Sequence, residues 1–382
     1  MEKIAIYIHW PFCKSKCPYC DFNSHVREKI DQQDWNRAYL KQITNYAEYL
    51  NGKKIVSIFF GGGTPSLMPS FIVENIINEL SKFAALDDNI EITLEANPTS
   101  VESEKFKLFA KAGVNRLSLG IQSLNIDNLK FLGREHNVEE AIKAIEIAKQ
   151  NFSRYSFDLI YALPDQTLVD WEKELSSALK LADKHLSLYQ LTIEKGTPFY
   201  SLYKDKKLQI PNEDLARDFY LLTQDVMERE GLPAYEISNH ARLGEECKHN
   251  LVYWQYGDFL GIGPGAHSRI NNQAIASIAH PENWLNLALQ GKIPSQSCIA
   301  LTRSEMVCEI LLMGLRLKKG LKLKDFYNKI GLNLLEVINR SKLDYMLECK
   351  FLELSNDSLL TTSKGKLVLN HIIDQLTDNL KI

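Results

Sequence analysis

No run in this chain reaches the roughly 18–20 apolar residues that a bilayer span requires. The N-terminus, from Met1 to Trp10, is apolar but short. Cys13 interrupts it, and no small-residue cleavage site follows, so no secretory signal is read. A charge bias is missing as well. The 45 basic residues stand against 48 acidic ones, a formal net charge of −3, which gives no long-range attraction for nucleic acid or an anionic membrane. Low-complexity tracts and runs of like charge are absent, which excludes a disordered arm. The cysteine count is seven, an odd number in a large chain without an export signal, and this argues against a disulfide framework. The expected compartment is the cytoplasm, with no integral membrane segment and no nucleic-acid partner.

What is present is a chain of 382 residues, long enough for one large domain and a smaller one. Apolar residues make up 45% and charged residues 24%, as in ordinary globular proteins. β-rich runs at 4–9, 55–60, 90–95, 116–121, 156–160 and 186–191 alternate with helix-like intervals, the first helix at 34–50. The run at 55–60 is nearly continuous and apolar, as in a strand buried on both faces. Six β/α repeats imply a parallel sheet with right-handed crossovers. Eight would close a TIM barrel, so six predict an α/β fold built on a partial (β/α)6 TIM-like barrel. Beyond residue 236 the pattern changes to a stretch rich in His, Trp, Tyr and Gly. After about residue 294 it becomes helical (303–315, 323–330 and 334–347), then β-like at 359–361, with a last helix from 364. The expected units are a barrel at 1–235, a β-containing extension at 236–293 and a small, mostly α, winged-helix-like domain at 294–382. With 13 basic and 10 acidic residues over 301–382, that last unit is read as a cap or docking module rather than a DNA reader.

Three of the seven cysteines form Cys13-x3-Cys17-x2-Cys20. The other four, Cys247, Cys298, Cys308 and Cys349, are scattered. Thiolates are the usual ligands of iron–sulfur clusters, and three on one loop reach three corners of a 4Fe–4S cube. The fourth iron keeps an open position, by the logic of an open catalytic zinc site. The amino and carboxylate groups of S-adenosylmethionine (SAM) suit that position, and electron transfer from the cluster would cleave the sulfonium to a 5′-deoxyadenosyl radical. Three unrelated core thiols, or a zinc site completed from elsewhere, are the competing readings. In a barrel the chemistry sits at the C-terminal strand ends. The three cysteines, the glycines at 61–63, Glu95, Gln122, Asp158 and Gln190 all fall there.

Tyr7-Ile-His-Trp-Pro-Phe-Cys13, the cysteine loop and Gly61-Gly-Gly-Thr-Pro65 together resemble the radical-SAM family of anaerobic coproporphyrinogen oxidases and their relatives. The resemblance extends through Gly261-Ile-Gly-Pro-Gly265 into the C-terminal unit. It implies that Gly62, Gly63 and Thr64 let the backbone approach the SAM amino group. Glu95 would accept from the ribose or the ammonium, while Gln122 and Arg134 meet the carboxylate. Asp158 would contact ribose or adenine, and Tyr7 and Tyr19 would flank the methionyl part. Gln190 and His267 match less well. Taken singly, each has a plainer reading: loop geometry for the glycines, a surface ion pair for Arg134, a strand-end cap for Asp158 and core packing for the tyrosines.

Two departures separate this chain from the oxidases of that family. Phe22 stands where they have a fourth cysteine, and only twelve residues precede Cys13. Both resemble the haem-chaperone branch, as does His249-Asn-Leu-Val-Tyr253-Trp254, its His-Asn-x-x-Tyr-Trp motif. The resemblance implies His249 as a haem ligand, with Asn250 orienting it, Tyr253 and Trp254 packing on the macrocycle, and Cys247 a second ligand or attachment point. A polar corner, core packing and an inert thiol are the plain alternatives for His249, Trp254 and Cys247. The expected partners are a haem-accepting protein such as a respiratory one, an electron donor for the cluster, and a second copy in a homodimer. Contact with the membrane would be transient and through the acceptor. Coproporphyrinogen III decarboxylation and another radical-SAM reaction remain as enzymatic alternatives.

Overall fold

The computed structural model describes residues 1–381. Among them, eleven strands form one sheet. Its centre is six parallel strands in chain order: β1 (Glu2–Trp10), β2 (Lys53–Gly62), β3 (Ala85–Ala96), β4 (Arg116–Gln122), β5 (Arg154–Tyr161) and β6 (His185–Gln190). Helices α1 (Gln32–Asn45), α2 (Ser70–Phe83), α3 (Val138–Asn151), α4 (Leu168–Leu181) and α5 (Glu213–Arg229) follow strands of this array. Their starts are written in the sequence. Asp31, Thr167 and Asn212 accept from first-turn N–H groups, and Asn137 forms a capping box with Glu140.

The strands are two-faced. Leu117, Leu119 and Ile121 of β4, like Phe157 and Leu159 of β5, are buried in the main apolar core with the helices. The alternate positions, Arg116 and Ser118 on β4 and Asp158 on β5, line a cavity on the opposite face. The lumen is therefore polar, and the expected burial of β2 in apolar surroundings on both sides gives way to the same pattern. Ile58 and Phe60 join the core, while Phe59 lines the lumen.

Residues of the expected extension, with Ser295–Ala300 from the start of the unit expected at 294–382, add strands at both ends of this sheet. β7 (Asn239–Ala241) runs antiparallel to β6. Next in the chain come α6 (Lys248–Trp254) and β8 (Phe259–Ile262), which pairs parallel with the far side of β1. Antiparallel β9 (His267–Ile270), β10 (Gln273–Ser277) and β11 (Ser295–Ala300) continue outward. α7 (Pro281–Leu289) returns to pack Trp284 face to face on Trp35 of α1, with ring centroids 5.3 Å apart.

The C-terminal residues gather a second core. Its order is α8 (Arg303–Gly314), a two-residue strand Leu321–Lys322, α9 (Leu323–Ile330), α10 (Arg340–Glu348), strands Leu352–Leu354 and Ser358–Thr361, and α11 (Leu369–Thr377). The three strands pair antiparallel around Ser358–Thr361, a winged-helix arrangement. The expected helix over 334–347 breaks because Asn339 caps α10, accepting from the Lys342 N–H. Similarly, the helix expected at 34–50 stops at Asn45, followed by a single turn, Ala47–Leu50. Arg269 fastens this unit to the sheet through a two-pronged bond to Glu309 of α8, which also accepts from the Tyr256 hydroxyl at 2.6 Å. No helix among the described residues is long and apolar enough to cross a membrane.

Candidate functional site

The cysteine loop is closed at its neck, where Phe12–Cys13 pair with His25–Val26 and the His25 N–H donates to the Pro11 carbonyl at 2.7 Å. Asn23 ties it to the β8–β9 turn and beyond through the carbonyls of Pro264 (3.0 Å) and Ala279 (2.9 Å). All three thiols are free. Each has a polar neighbour. The Thr64 hydroxyl donates to Cys13 Sγ at 3.4 Å, and the Arg134 guanidinium donates to Cys17 Sγ at 3.2 Å. Cys20 Sγ lies 3.9 Å from Ser24 Oγ. Burial pushes the Cys13 thiol up. No three His, Cys, Asp or Glu side chains among the described residues converge on a point suited to one ion. A 4Fe–4S cube binds each thiolate at a different iron and does not need that convergence. The donor set, three thiols with hydrogen bonds to their sulfurs, fits a cluster of that kind. Phe22 is 61% exposed at the loop's surface.

The glycine-rich end of β2 is zipped to the same loop. The Gly63 and Thr64 N–H groups donate to the carbonyls of Trp10 (2.7 Å) and Phe12 (2.8 Å). A Cβ on Gly62, whose φ is +113°, would lie 2.6 Å from the His9 ring, and one on Gly63 would lie 2.7 Å from the Phe12 carbonyl oxygen. Gly62 is thus required by contact with the end of β1 and Gly63 by contact with the neck of the cysteine loop, a reason additional to the expected one. Arg134 is likewise already engaged. Besides Cys17 it donates to Asn97 Oδ1 (2.5 Å) and the Gly120 carbonyl (2.9 Å), leaving Nε buried and unpartnered. Gln122 ends β4 with φ at 70°, a left-handed conformation that non-glycine residues adopt at turns and sites.

Tyr7, Glu95, Asp158 and His249 line one lumen cavity of about 220 Å3 together with Arg116 and Tyr189. Tyr7 and the Asn23 carbonyl bracket His9, at 3.1 and 2.9 Å from its two ring nitrogens. Burial, reinforced by the Asp158 charge, pushes the Glu95 carboxyl up to about 8, although the Gly62 N–H donates to it. Burial pushes Asp158 up to about 6, opposed by a Ser187 hydrogen bond and the Arg116 and Arg134 charges. Other expected residues lie elsewhere. Tyr19 packs its ring against Phe199 while its hydroxyl meets Cys17 and Arg134, Gln190 donates to the Ala216 carbonyl of α5, and His267 is exposed on β9.

These two carboxyls and the buried histidines set a pH profile. Native Glu95 and Asp158 hold protons that the unfolded chain releases near pH 4, so their contribution to stability is lost as pH rises toward 6 and then 8. Burial holds His249 down at about 3 and His136 at about 4, so stability falls as pH drops below the unfolded value of 6.5. Glu95→Gln should flatten the alkaline limb of a thermal-melt profile between pH 6.5 and 9. An identical alkaline loss in both proteins would remove Glu95 as its source.

α6 carries the His-Asn-x-x-Tyr-Trp motif and stands on Glu91 of β3, 2% exposed. Glu91 Oε1 accepts from the His249 N–H (3.2 Å) and the Cys247 thiol (3.3 Å), and Oε2 accepts from Arg154 (2.6 Å). Burial opposes ionisation of Glu91, but Arg116 and Arg154 outweigh it and hold the carboxyl below its ordinary value. A carboxylate thus faces the positive end of this helix. Both nitrogens of His249 are engaged, Nδ1 with Ser57 Oγ at 3.0 Å and Nε2 with the Tyr253 hydroxyl at 3.1 Å, while Phe59 stacks on the ring. An iron would reach Nε2 only by displacing Tyr253. Asn250 donates to the Tyr235 hydroxyl rather than to His249. Cys247 is fully buried, and burial pushes its thiol up to about 12, which leaves it poorly placed as a thiolate ligand or attachment point.

Asn250, Tyr253 and Trp254 also wall a larger cavity of about 810 Å3 between the sheet and the C-terminal unit. The two cavities share Tyr189, Asn239, Asn250 and Tyr253. Glu91, Arg116 and Ser57 are absent from the expected site residues. The signal for the first two was the period of two that places them in register with Glu95 and Ser118; Ser57 follows a β-bulge that disguises it.

Residues 7–178 match the Radical SAM superfamily, and residues 301–368 match the HemN C-terminal domain. The chain is 36% identical to the heme chaperone HemW of Haemophilus influenzae, with 98% of each chain covered. It is 38% identical to the mitochondrial radical S-adenosyl methionine domain-containing protein 1 of Dictyostelium discoideum, over 98% of this chain and 94% of the other. Among solved structures, coproporphyrinogen III oxidase (HemN) from Escherichia coli superposes with a TM-score of 0.82 at 21% identity, covering 99% of this chain and 91% of that one.

Proposed function

We propose, for a chain that belongs to the HemW family of radical SAM proteins, that it binds haem and delivers it to an acceptor such as a respiratory haem protein. The family implies SAM and a 4Fe–4S cluster. Cys13, Cys17 and Cys20 would hold the cluster. Gly62, Gly63, Thr64, Glu95, Gln122, Arg134 and Asp158 would surround SAM, with Tyr7 and Tyr19 beside it. When bound, these groups supply one-electron chemistry toward the SAM sulfonium. This chain's own residues clamp the loop, hold Arg134 against Cys17 and keep Glu95 facing a polar lumen. An electron donor serves the cluster, and SAM with the cluster gates haem loading or release.

The observation that carries the reading is the cavity of about 810 Å3 walled by Asn250, Tyr253 and Trp254. It lies within the roughly 300–1,000 Å3 range of sites for large organic ligands. Shared fold with the oxidase leaves a decarboxylase as the rival. The test is anaerobic reconstitution, followed by haem titration in one vessel and coproporphyrinogen III with SAM and reductant in another. A stoichiometric haem complex without protoporphyrinogen is expected. Sustained turnover to protoporphyrinogen would overturn the chaperone reading.

A further inference from the structure

One buried cation of the lumen has no acceptor matched to it. We propose that Arg116, at the start of β4, receives a propionate carboxylate of the haem cargo, the arm reaching into the lumen past α6 while the iron stays with His249 of that helix. This rests on the reading of the chain as a haem carrier and adds a subsite to it.

Arg116 is 2% exposed and lines the lumen cavity. Among the described residues its one hydrogen bond is long, from Nη1 to the Thr93 hydroxyl at 3.5 Å, and no carboxylate stands within ion-pair distance. The charges of Glu91 and Asp158 act on it from farther off. Both carboxyls are already engaged, Glu91 with Arg154, Cys247 and the His249 N–H, and Asp158 with Ser187. A guanidinium presents five N–H donors in a planar fork, and taking it out of water leaves those donors in need of acceptors. A carboxylate fills such a fork with two parallel bonds. The Ser118 hydroxyl, in the same wall, forms no hydrogen bond among the described residues and supplies a further donor.

The strand ladder fixes where the owner of that carboxylate stands. Tyr7 pairs with Phe59, Phe59 with Thr93 and Thr93 with Arg116, so all four share one rung. Phe59 stacks on the His249 ring with centroids 4.9 Å apart. Arg116 lies two strands across from Phe59, about 10 Å along the sheet, a span that an arm projecting from the edge of an iron-bound macrocycle covers. The end of the lumen expected to hold the SAM carboxylate is farther, since Gln122 closes β4 six residues on, about 20 Å away. The lumen cavity of about 220 Å3 is smaller than the roughly 300–1,000 Å3 of sites that enclose a whole large ligand, and it suits a side arm. Tyr253 walls both cavities. It is also the residue that an iron at His249 Nε2 displaces, so the movement that frees the ligand opens the passage to Arg116.

The experiment titrates ferric haem, and separately its dimethyl ester, into the anaerobically reconstituted full chain and into its Arg116→Met, Arg116→Lys and Ser118→Ala variants. The ester keeps the iron and the macrocycle but carries no carboxylate. The unaltered chain is expected to prefer the free acid by at least about tenfold. Arg116→Met should bind acid and ester alike, with the Soret band unmoved because the iron ligand is untouched. A merely structural role would weaken both ligands together and leave the preference intact. Arg116→Lys, which keeps the charge and loses the fork, and Ser118→Ala should each keep part of the preference. They carry the test if circular dichroism shows Arg116→Met unfolded. Equal affinity of the unaltered chain for acid and ester overturns the inference and leaves the carrier reading standing. So does a full preference in folded Arg116→Met, which places the propionates on Arg316 and Lys366 of the outer cavity. Weakened SAM binding in Arg116→Met with the preference intact assigns the subsite to the SAM carboxylate and also overturns it. Failure of the unaltered chain to bind haem at all overturns both readings.

Discussion

Alanine at any one of Cys13, Cys17 or Cys20 is expected to leave the anaerobically reconstituted chain with less than about a tenth of the wild-type cluster iron. The reason is geometric. The three thiols come from one short loop whose neck is sealed by the Phe12–Cys13 pairing. Cys247, Cys298, Cys308 and Cys349 lie outside it, so no spare thiol from the loop can replace a lost ligand. Two thiolates leave half the cube's irons open to solvent, and such a cluster disassembles. Cys298→Ala, at an exposed position on β11, is the matched control and should keep all its iron. Arg134→Met should fall between these limits, because it removes the donor to Cys17 Sγ while leaving every ligand in place. Iron per chain and visible absorbance decide the matter. Full iron in Cys17→Ala would rule out this loop as the cluster's holder.

The second large effect is placed at the floor of the barrel. Glu91→Ala should lower the stability of the chain by about 3–5 kcal/mol, the range for breaking a buried ionic network by removing one partner. Glu91 faces Arg154, and its charge lies beside that of Arg116, which is itself only 2% exposed. Arg154 also pairs with Glu245 at 3.1 Å and keeps a partner. Arg116 keeps the Asp158 carboxyl in the lumen but loses the charge of Glu91, and its compensation at that depth is reduced. The same substitution frees the Cys247 thiol and the His249 N–H, so α6 loses its footing. Haem affinity should therefore fall together with the denaturation midpoint. Glu91→Gln, which keeps an acceptor oxygen but not the charge, should lose less. An unchanged midpoint in Glu91→Ala would show that the network contributes nothing to the fold.

The six parallel strands were legible because each combines β-branched or aromatic residues with a run of the right length, and all six stand where the pattern puts them. The fold class follows from that alternation. β8 was not legible. It has four residues, Phe-Leu-Gly-Ile, and only its pairing with β1 from across the chain makes it a strand. Local pattern is equally silent on long-range partners. The Asn23 amide finds the Pro264 carbonyl 241 positions away, and His249 rests on Glu91, 158 positions away. Among the candidate site residues, spacing alone is enough to put the three cysteines on one loop. The engagement of Arg134 with Cys17, and of His249 with Ser57 and Tyr253, depends on which side chains meet inside the lumen, and spacing does not encode that.

Tyr189, Asn239, Asn250 and Tyr253 belong to both cavities. A partition common to two binding chambers makes their occupants thermodynamically reciprocal. Whatever factor an occupant of the lumen applies to the dissociation constant of an occupant of the outer chamber, the second applies to the first. Cargo and cofactor would then each be a sensor of the other, with four side chains as the membrane of the drum between them.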